Sequence, residues 1–376
     1  MAAATHLYYF LKSDYKNMDN TTTFYVQGLG NISPQKTFDN SEFLNEISEY
    51  NDNVLPCVLP EFKNYIHPVA LRRMSRLLRI GLSAAKICAQ DAQLDMPDAI
   101  ITASGYGAIG DTSNFLWEIL NNGEKQLTPT FFMQSTYNTI SGAIAMNMKC
   151  NNYNTTYAHR GFSFENALQD ALMQMTDTPS KRILLGAFDE TNKEQHAIKQ
   201  FDGLHKRKNI NNLTLFQSDG QGTIEGEGAA FFTLGTEKTS NAYAKLLGVK
   251  TIYRPEDAGE LQAQIHTLLT ENNLDANAID VVINGAGGDT QLDTMSNIAL
   301  NNVFDGKQFL AFKHLCGDYC TAASFGMWLG CKILRHQAIP EITKVNQTAP
   351  LSSIKNVLML NHFWGKRYSL ILLQQA

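Results

Sequence analysis

Six short runs in this chain are apolar almost without interruption: residues 98–103, 182–187, 229–234, 280–283, 357–360 and 368–373. A strand with one solvated face alternates apolar and polar residues. Runs without alternation read as strands buried on both faces, which need helices on either side. Helical spacing appears between them. Residues 68–88 carry Val69, Leu71, Met74, Leu77, Leu78, Ile80 and Leu82 with Arg72, Arg73, Arg76 and Arg79 interleaved, and residues 164–175 carry Phe164, Leu168, Leu172 and Met175. Helices are also predicted over 258–269 and 321–334. Strand and helix signals alternate along the whole chain, so the fold class is α/β. The order strand, glycine-rich turn, helix opening with small residues recurs in each half. The stretch 191–221, rich in Asn and Lys, reads as loop.

Lys and Arg total 31 against 36 Asp and Glu, a net charge of −5, and neither half is strongly basic. Non-specific nucleic-acid binding is therefore not expected. No apolar run approaches the roughly 18 residues of a membrane span. The N-terminal stretch, residues 1–16, has no basic start before its apolar residues, so no secretory signal is expected and the chain is read as cytoplasmic. Cys57, Cys88, Cys150, Cys316, Cys320 and Cys331 are read as reduced thiols. Cys316 and Cys320 lack a second ligand pair, and the histidines are scattered without ligand spacing, so no metal site is expected. Gly105-Tyr106-Gly107-Ala108-Ile109-Gly110 has the glycine spacing of a dinucleotide loop, but no second strand ending in an acid follows. It reads as a tight turn, and the chain is expected to hold no cofactor of its own.

Four stretches carry more when taken together. Gly226-Glu227-Gly228-Ala229-Ala230 precedes an apolar strand; Lys313-His314-Leu315-Cys316-Gly317-Asp318-Tyr319-Cys320-Thr321-Ala322-Ala323 follows another. Thr128-Pro129-Thr130-Phe131-Phe132-Met133-Gln134-Ser135-Thr136 is the third, and Leu360-Asn361-His362-Phe363-Trp364-Gly365 is the fourth. In this order they resemble the GEGAA, KSxxGHxxGAAG, SPFFVPST and NSFGFGG segments of β-ketoacyl synthases. The resemblance runs over about residues 98–373. It implies a thiolase-like fold, two duplicated α/β halves in an α-β-α-β-α layering, with residues 1–240 as the N-terminal half and 241–376 as the C-terminal half.

The resemblance also implies where a Cys-His-His set should stand. The cysteine position falls on Arg160 or Gly161, the first histidine on Asn284 or Gly285, and the second on Asp318. None is a thiol or an imidazole; only Lys313 of the second motif is retained. A nucleophilic sulfur and two N–H donors to a developing oxyanion are what this chemistry uses. A carboxylate at residue 318 would oppose a developing negative charge.

A ketosynthase-like chain without its catalytic set resembles a chain length factor: a subunit that pairs with an active ketosynthase and bounds its acyl tunnel. The acyl chain would arrive on the phosphopantetheine of an acyl carrier protein. Phe131, Phe132, Met133, Gln134, Tyr137 and Asn138 then become the tunnel-end and interface residues. Arg72, Arg73, Arg76 and Arg79, with Lys206, Arg207 and Lys208, are candidate contacts for an acidic carrier. The stretch His159-Arg160-Gly161-Phe162-Ser163-Phe164-Glu165 is similar to degenerate members of aryl polyene and flexirubin-type pigment systems. Two other readings stay open: a synthase acting through a non-standard site, and a free-standing acyl-binding protein.

Overall fold

The computed structural model describes residues 22–218 and 220–376. The N-terminal stretch read for a secretory signal lies outside these residues. The strands are β1 (Phe24–Ile32), β2 (Val54–Leu55), β3 (Ala99–Ala103), β4 (Tyr153–Tyr157), β5 (Ile183–Asp189), β6 (Glu225–Gly226), β7 (Gly228–Gly235), β8 (Ala244–Tyr253), β9 (Val281–Gly285), β10 (Gln308–Ala311), β11 (Asn356–Phe363) and β12 (Arg367–Gln374). The principal helices are α1 (Arg76–Asp91), α2 (Ile109–Asn122), α3 (Pro129–Gln134), α4 (Thr139–Met148), α5 (Ser163–Asp177), α6 (Lys193–Phe201), α7 (Ala258–Glu271), α8 (Thr294–Val303) and α9 (Ala323–His336).

All but β2 and β6 join one ten-stranded sheet, ordered β10-β9-β11-β12-β8-β1-β7-β5-β3-β4. The order is the same read inward from either edge. Counting each half's five strands in sequence, both run third, second, fourth, fifth, first. In both, the second strand is parallel to the third and fourth, and the fifth is antiparallel. The recurrence seen in the sequence is therefore a repeated topology. The halves meet where β1 pairs antiparallel with β8.

Burial explains the uninterrupted apolar runs. Ala99, Ile101 and Ala103 of β3 face one core and Ile100 the other. Val357 and Met359 of β11 face the central core, while Leu358 and Leu360 face an outer one. The central layer is α5 and α9. From Ala323 to Leu334 every residue of α9 is buried, because sheet packs on both its sides. Outer cores lie under α1 and α4 on the N-terminal half and under α7 and α8 on the C-terminal half. Each fully buried Leu, Ile or Phe in these layers contributes about 1.5–3 kcal/mol over exposure.

The helix read over 68–88 is broken. A turn at Pro68–Leu71 ends before Arg72, and α1 starts at Arg76. Arg72 and Arg73 fall in the break, where Gln134 Nε2 donates to Arg73 O and Gln134 Oε1 accepts from Ser75 N at 2.7 Å. The stretch read as loop, 191–221, contains α6 and a 3-10 turn at Asn212–Gln217. Asn192 starts α6 by accepting from Gln195 N at 3.1 Å, which satisfies one of the free N–H groups of the helix end.

Candidate functional site

The segment between β4 and α5 makes a tight strand-to-helix elbow. Arg160 takes a left-handed φ of 51° there, a conformation that costs a side-chain-bearing residue energy and needs local support. Ser163 supplies it: its Oγ accepts from His159 N at 2.7 Å and lies 2.8 Å from Arg160 O and 3.0 Å from Ser104 O. The Arg160 side chain is exposed, with its guanidinium over the Tyr106 ring at 5.7 Å. Gly161 is buried, and a Cβ on it would lie 2.5 Å from the Phe363 ring. Of these two residues, only position 160 has room for a side chain.

At the end of β9, Asn284 is spent on local bonds: Nδ2 to Asn297 Oδ1 at 2.7 Å, and Oδ1 from Ala286 N at 3.1 Å. Gly285 is walled by Asn361, whose Oδ1 would lie 2.4 Å from an added Cβ. Asp293 closes the following turn, accepting from Gly287 N and Gly288 N at 2.8 Å each and pairing with His362 Nε2 at 2.9 Å. Burial works to raise the Asp293 carboxyl, but His362 and the backbone donors hold it below its ordinary value.

Asp318 follows Gly317, whose φ of 75° turns the chain so that Asp318 bridges the backbone at Ile224–Gly226. Lys313 Nζ lies 2.8 Å from Asp318 Oδ1, with side chains 1% and 5% exposed, and donates to His362 O at 2.7 Å. The charge of Lys313 is thus matched by that of Asp318. A lone charge buried here would cost several kcal/mol, so each residue requires the other. The pair presents no imidazole N–H to an oxyanion.

All six cysteines are buried and free. Burial pushes the thiols of Cys57, Cys316 and Cys320 well up, away from the thiolate form that attacks. Cys320, the nearest to the elbow, is packed against Gly105. His159 is exposed and stacks on Phe162, while His314 is buried with Nε2 2.9 Å from Ile342 O and is held neutral by burial, down to about 4. Glu165 of α5 is buried against Ser369 Oγ at 2.7 Å, and burial pushes its carboxyl up to about 7.

The glycine-rich loop after β3 is a close-packed turn. Asp189 Oδ1 accepts from Gly105 N at 2.8 Å, Gly107 has a φ of 65°, and Tyr137 packs on Gly107. Tyr137 belongs to the aromatic segment read from the sequence. Along it, Phe132 (59% exposed), Met133 (68%) and Tyr137 (42%) face solvent, and Asn138 is exposed. Phe131 is half-buried. Phe115 of α2 packs on Phe132 with ring centres 5.4 Å apart, and Leu116 and Leu120 of α2 are exposed; Met146 of α4 and Tyr153, on the open-edge strand β4, are exposed as well. Gln134 is not free for an interface, since it closes the break before α1.

The basic patch is smaller than the sequence suggests. Arg76 forms a two-pronged pair with buried Glu227, and Arg79 Nε donates to Met74 O at 3.0 Å. Lys206 turns inward, its Nζ donating to Gly288 O at 3.2 Å. Arg72, Arg73, Arg207 and Lys208 remain exposed. Among the described residues, no helix is long and apolar enough to cross a membrane. One cluster escaped the sequence reading. His196, His205 and Glu225 converge although no motif spacing links them.

Residues 55–204 match the model of the beta-ketoacyl synthase N-terminal domain family. Across nearly the whole chain, the structure superposes on the ishigamide ketosynthase/chain length factor with a TM-score of 0.75 at 18% identity, covering 94% of this chain and 99% of that one. The fold is the thiolase-like fold of the ketosynthases. A ketosynthase in complex with its chain length factor from Xenorhabdus doucetiae is similar at a TM-score of 0.74 and 15% identity, covering 95% of this chain and 99% of that one. A type II polyketide synthase structure, an acyl-carrier protein in complex with its ketosynthase, matches at 0.77 and 14%, covering 94% and 100%. No curated protein matches the sequence.

Proposed function

We propose that this ketosynthase-like chain is a non-catalytic chain length factor. It pairs with an active ketosynthase and bounds the tunnel in which an acyl chain grows on the phosphopantetheine of an acyl carrier protein. The observation that carries the reading is the Lys313–Asp318 ion pair, at 2.8 Å, in a site whose other key positions hold Arg160 or Gly161 and Asn284 or Gly285. The fold is kept whole while the groups that would do the chemistry are replaced by groups that neutralise, fill or hydrogen-bond one another.

The exposed side chains of Phe132, Met133, Leu116 and Leu120 support a partner. Apolar side chains exposed together favour burial against another chain. Phe131, Phe132, Met133 and Tyr137 then set the depth of the tunnel by filling it, and Asn138 lies at the rim. Arg72, Arg73, Arg207 and Lys208 are the basic residues left to meet an acidic carrier. We place the division between the halves at residue 240, in the connection from β7 to β8, and assign the system to polyene-type chains of the aryl polyene or flexirubin kind, made in the cytoplasm.

The test is a native mass measurement on the protein isolated from its own source. One additional ketosynthase-sized chain with an intact Cys-His-His set is the expected result. A monomer or homodimer would overturn the assignment, and an acyl adduct on this chain would replace it with an enzymatic one.

A further inference from the structure

His196 lies on α6, His205 in the turn that leaves it, and Glu225 on β6, and the proposed function uses none of them. Their donor atoms lie within 4.8 Å of one another. His196 Nδ1 is 2.7 Å from Glu225 Oε2, His205 Nδ1 is 3.3 Å from His196 Nδ1, and His205 Nδ1 is 3.8 Å from Glu225 Oε2. Ligands on a tetrahedral zinc ion, at bonds of about 2.0–2.2 Å, stand about 3.3 Å apart. The three separations straddle that value.

Hydrogen bonding alone serves this triangle poorly. One Nδ1 proton cannot satisfy the other imidazole and the carboxylate together. Three lone-pair groups facing one point are matched by a cation. We propose that His196, His205 and Glu225 bind a divalent transition-metal ion of the zinc class, with solvent in the fourth position.

The surroundings suit such a site. Lys199, one turn along α6 from His196, holds Glu225 Oε1 at 2.7 Å and leaves Oε2 to the metal. A partner of this kind on the outer oxygen orients a ligating carboxylate. The backbone is fixed independently: Gly203 turns the chain at a φ of 73°, and Lys206 N and Thr223 N bond to Thr223 O and Leu204 O at 2.9 and 3.0 Å. The His196 side chain is 14% exposed, which opens one side to solvent. Lys199 Nζ also stands 5.4 Å from the centre of the Tyr106 ring, which the Arg160 guanidinium covers at 5.7 Å.

The experiment is a Co2+ titration of the full-length chain, in complex with its partner if the complex is the isolated form. The expected result is one Co2+ per chain with the visible absorption of tetrahedral cobalt, displaced by Zn2+. His196→Ala, at the most exposed ligand, should lose this signal while keeping the fold by circular dichroism. Lys199→Met should weaken binding about 10–100-fold and keep the spectrum. Absence of the tetrahedral spectrum in the unaltered chain, or equal affinity in His196→Ala and Glu225→Gln, overturns the site.

Discussion

Lys313→Met isolates the energetics of the altered site. The substitution keeps the length of the side chain and removes its charge. Asp318, 5% exposed, then holds an uncompensated carboxylate, and His362 O loses a donor at 2.7 Å. Breaking a buried ion pair from one side costs about 3–5 kcal/mol. Adding Asp318→Asn removes the stranded charge and leaves only unpaired polar groups, at about 1–3 kcal/mol. The double variant should therefore be more stable than Lys313→Met by about 2 kcal/mol, a non-additivity expected of contacting residues. Denaturant unfolding, with the slope checked for constancy, measures it. A double variant as unstable as the single would refute the coupling. The Lys313→Met/Asp318→Asn double variant, shown to be folded by circular dichroism, should leave turnover of the ketosynthase complex near its original rate; a loss of several orders of magnitude with the fold intact would place chemistry in this chain.

Glu165 gives a pH prediction. Its folded carboxyl titrates near 7 because burial disfavours the charge, against an ordinary value of 4.5. The folded state therefore binds the extra proton between these values, and stability falls as pH rises through this window, by about 3 kcal/mol in all. Glu165→Gln should be more stable than the parent above pH 7 and flatten the dependence; an unchanged slope would show that the carboxyl is solvated. Gly161→Ala would drive a methyl into the Phe363 ring at 2.5 Å and cost about 1–3 kcal/mol, in part recovered by Phe363→Leu on the same unfolding assay. Phe132→Ala, at a side chain 59% exposed, should change the stability of the isolated chain by less than about 1 kcal/mol yet lengthen the product of the complex; unaltered product length, read by mass spectrometry, would move the tunnel end elsewhere.

The sequence was legible where burial is symmetric. β3, β5, β7, β9, β11 and β12 are apolar on both faces, and each was readable as a strand. β1 was not, because Gly28 and Gly30 leave room for α1, where a Cβ would meet Ala92 and Ala84. β4, Tyr153-Asn154-Thr155-Thr156-Tyr157, hid for the opposite reason: an edge strand carries polar residues. The break at Arg72–Ser75 is set by Gln134, distant in sequence and invisible to helical periodicity. At the candidate site, Arg160, Gly161, Asn284, Gly285, Lys313 and Asp318 could be named from the sequence, but the Lys313–Asp318 pairing was visible only in three dimensions. The choice between Arg160 and Gly161 likewise needed Phe363, from the last hairpin, to show which position has space. The His196–His205–Glu225 cluster was missed because its members come together through a helix, a turn and a strand.

The placement of β1 has a consequence for how the chain is made. Its partners are β7 on one side and β8 on the other, with Tyr25 opposite Gly235 and Phe24 opposite Leu246. The first strand among the described residues must therefore wait, with both its edges unpaired, for strands synthesised much later. Closing so long a loop adds entropy cost slowly with length but delays the search, so pairing of this kind is slow. During that wait β1 is an open template for another chain, which makes early assembly sensitive to crowding by unfinished copies. Synthesis rate and holding by chaperones should govern the yield of this protein more than the stability of the finished fold.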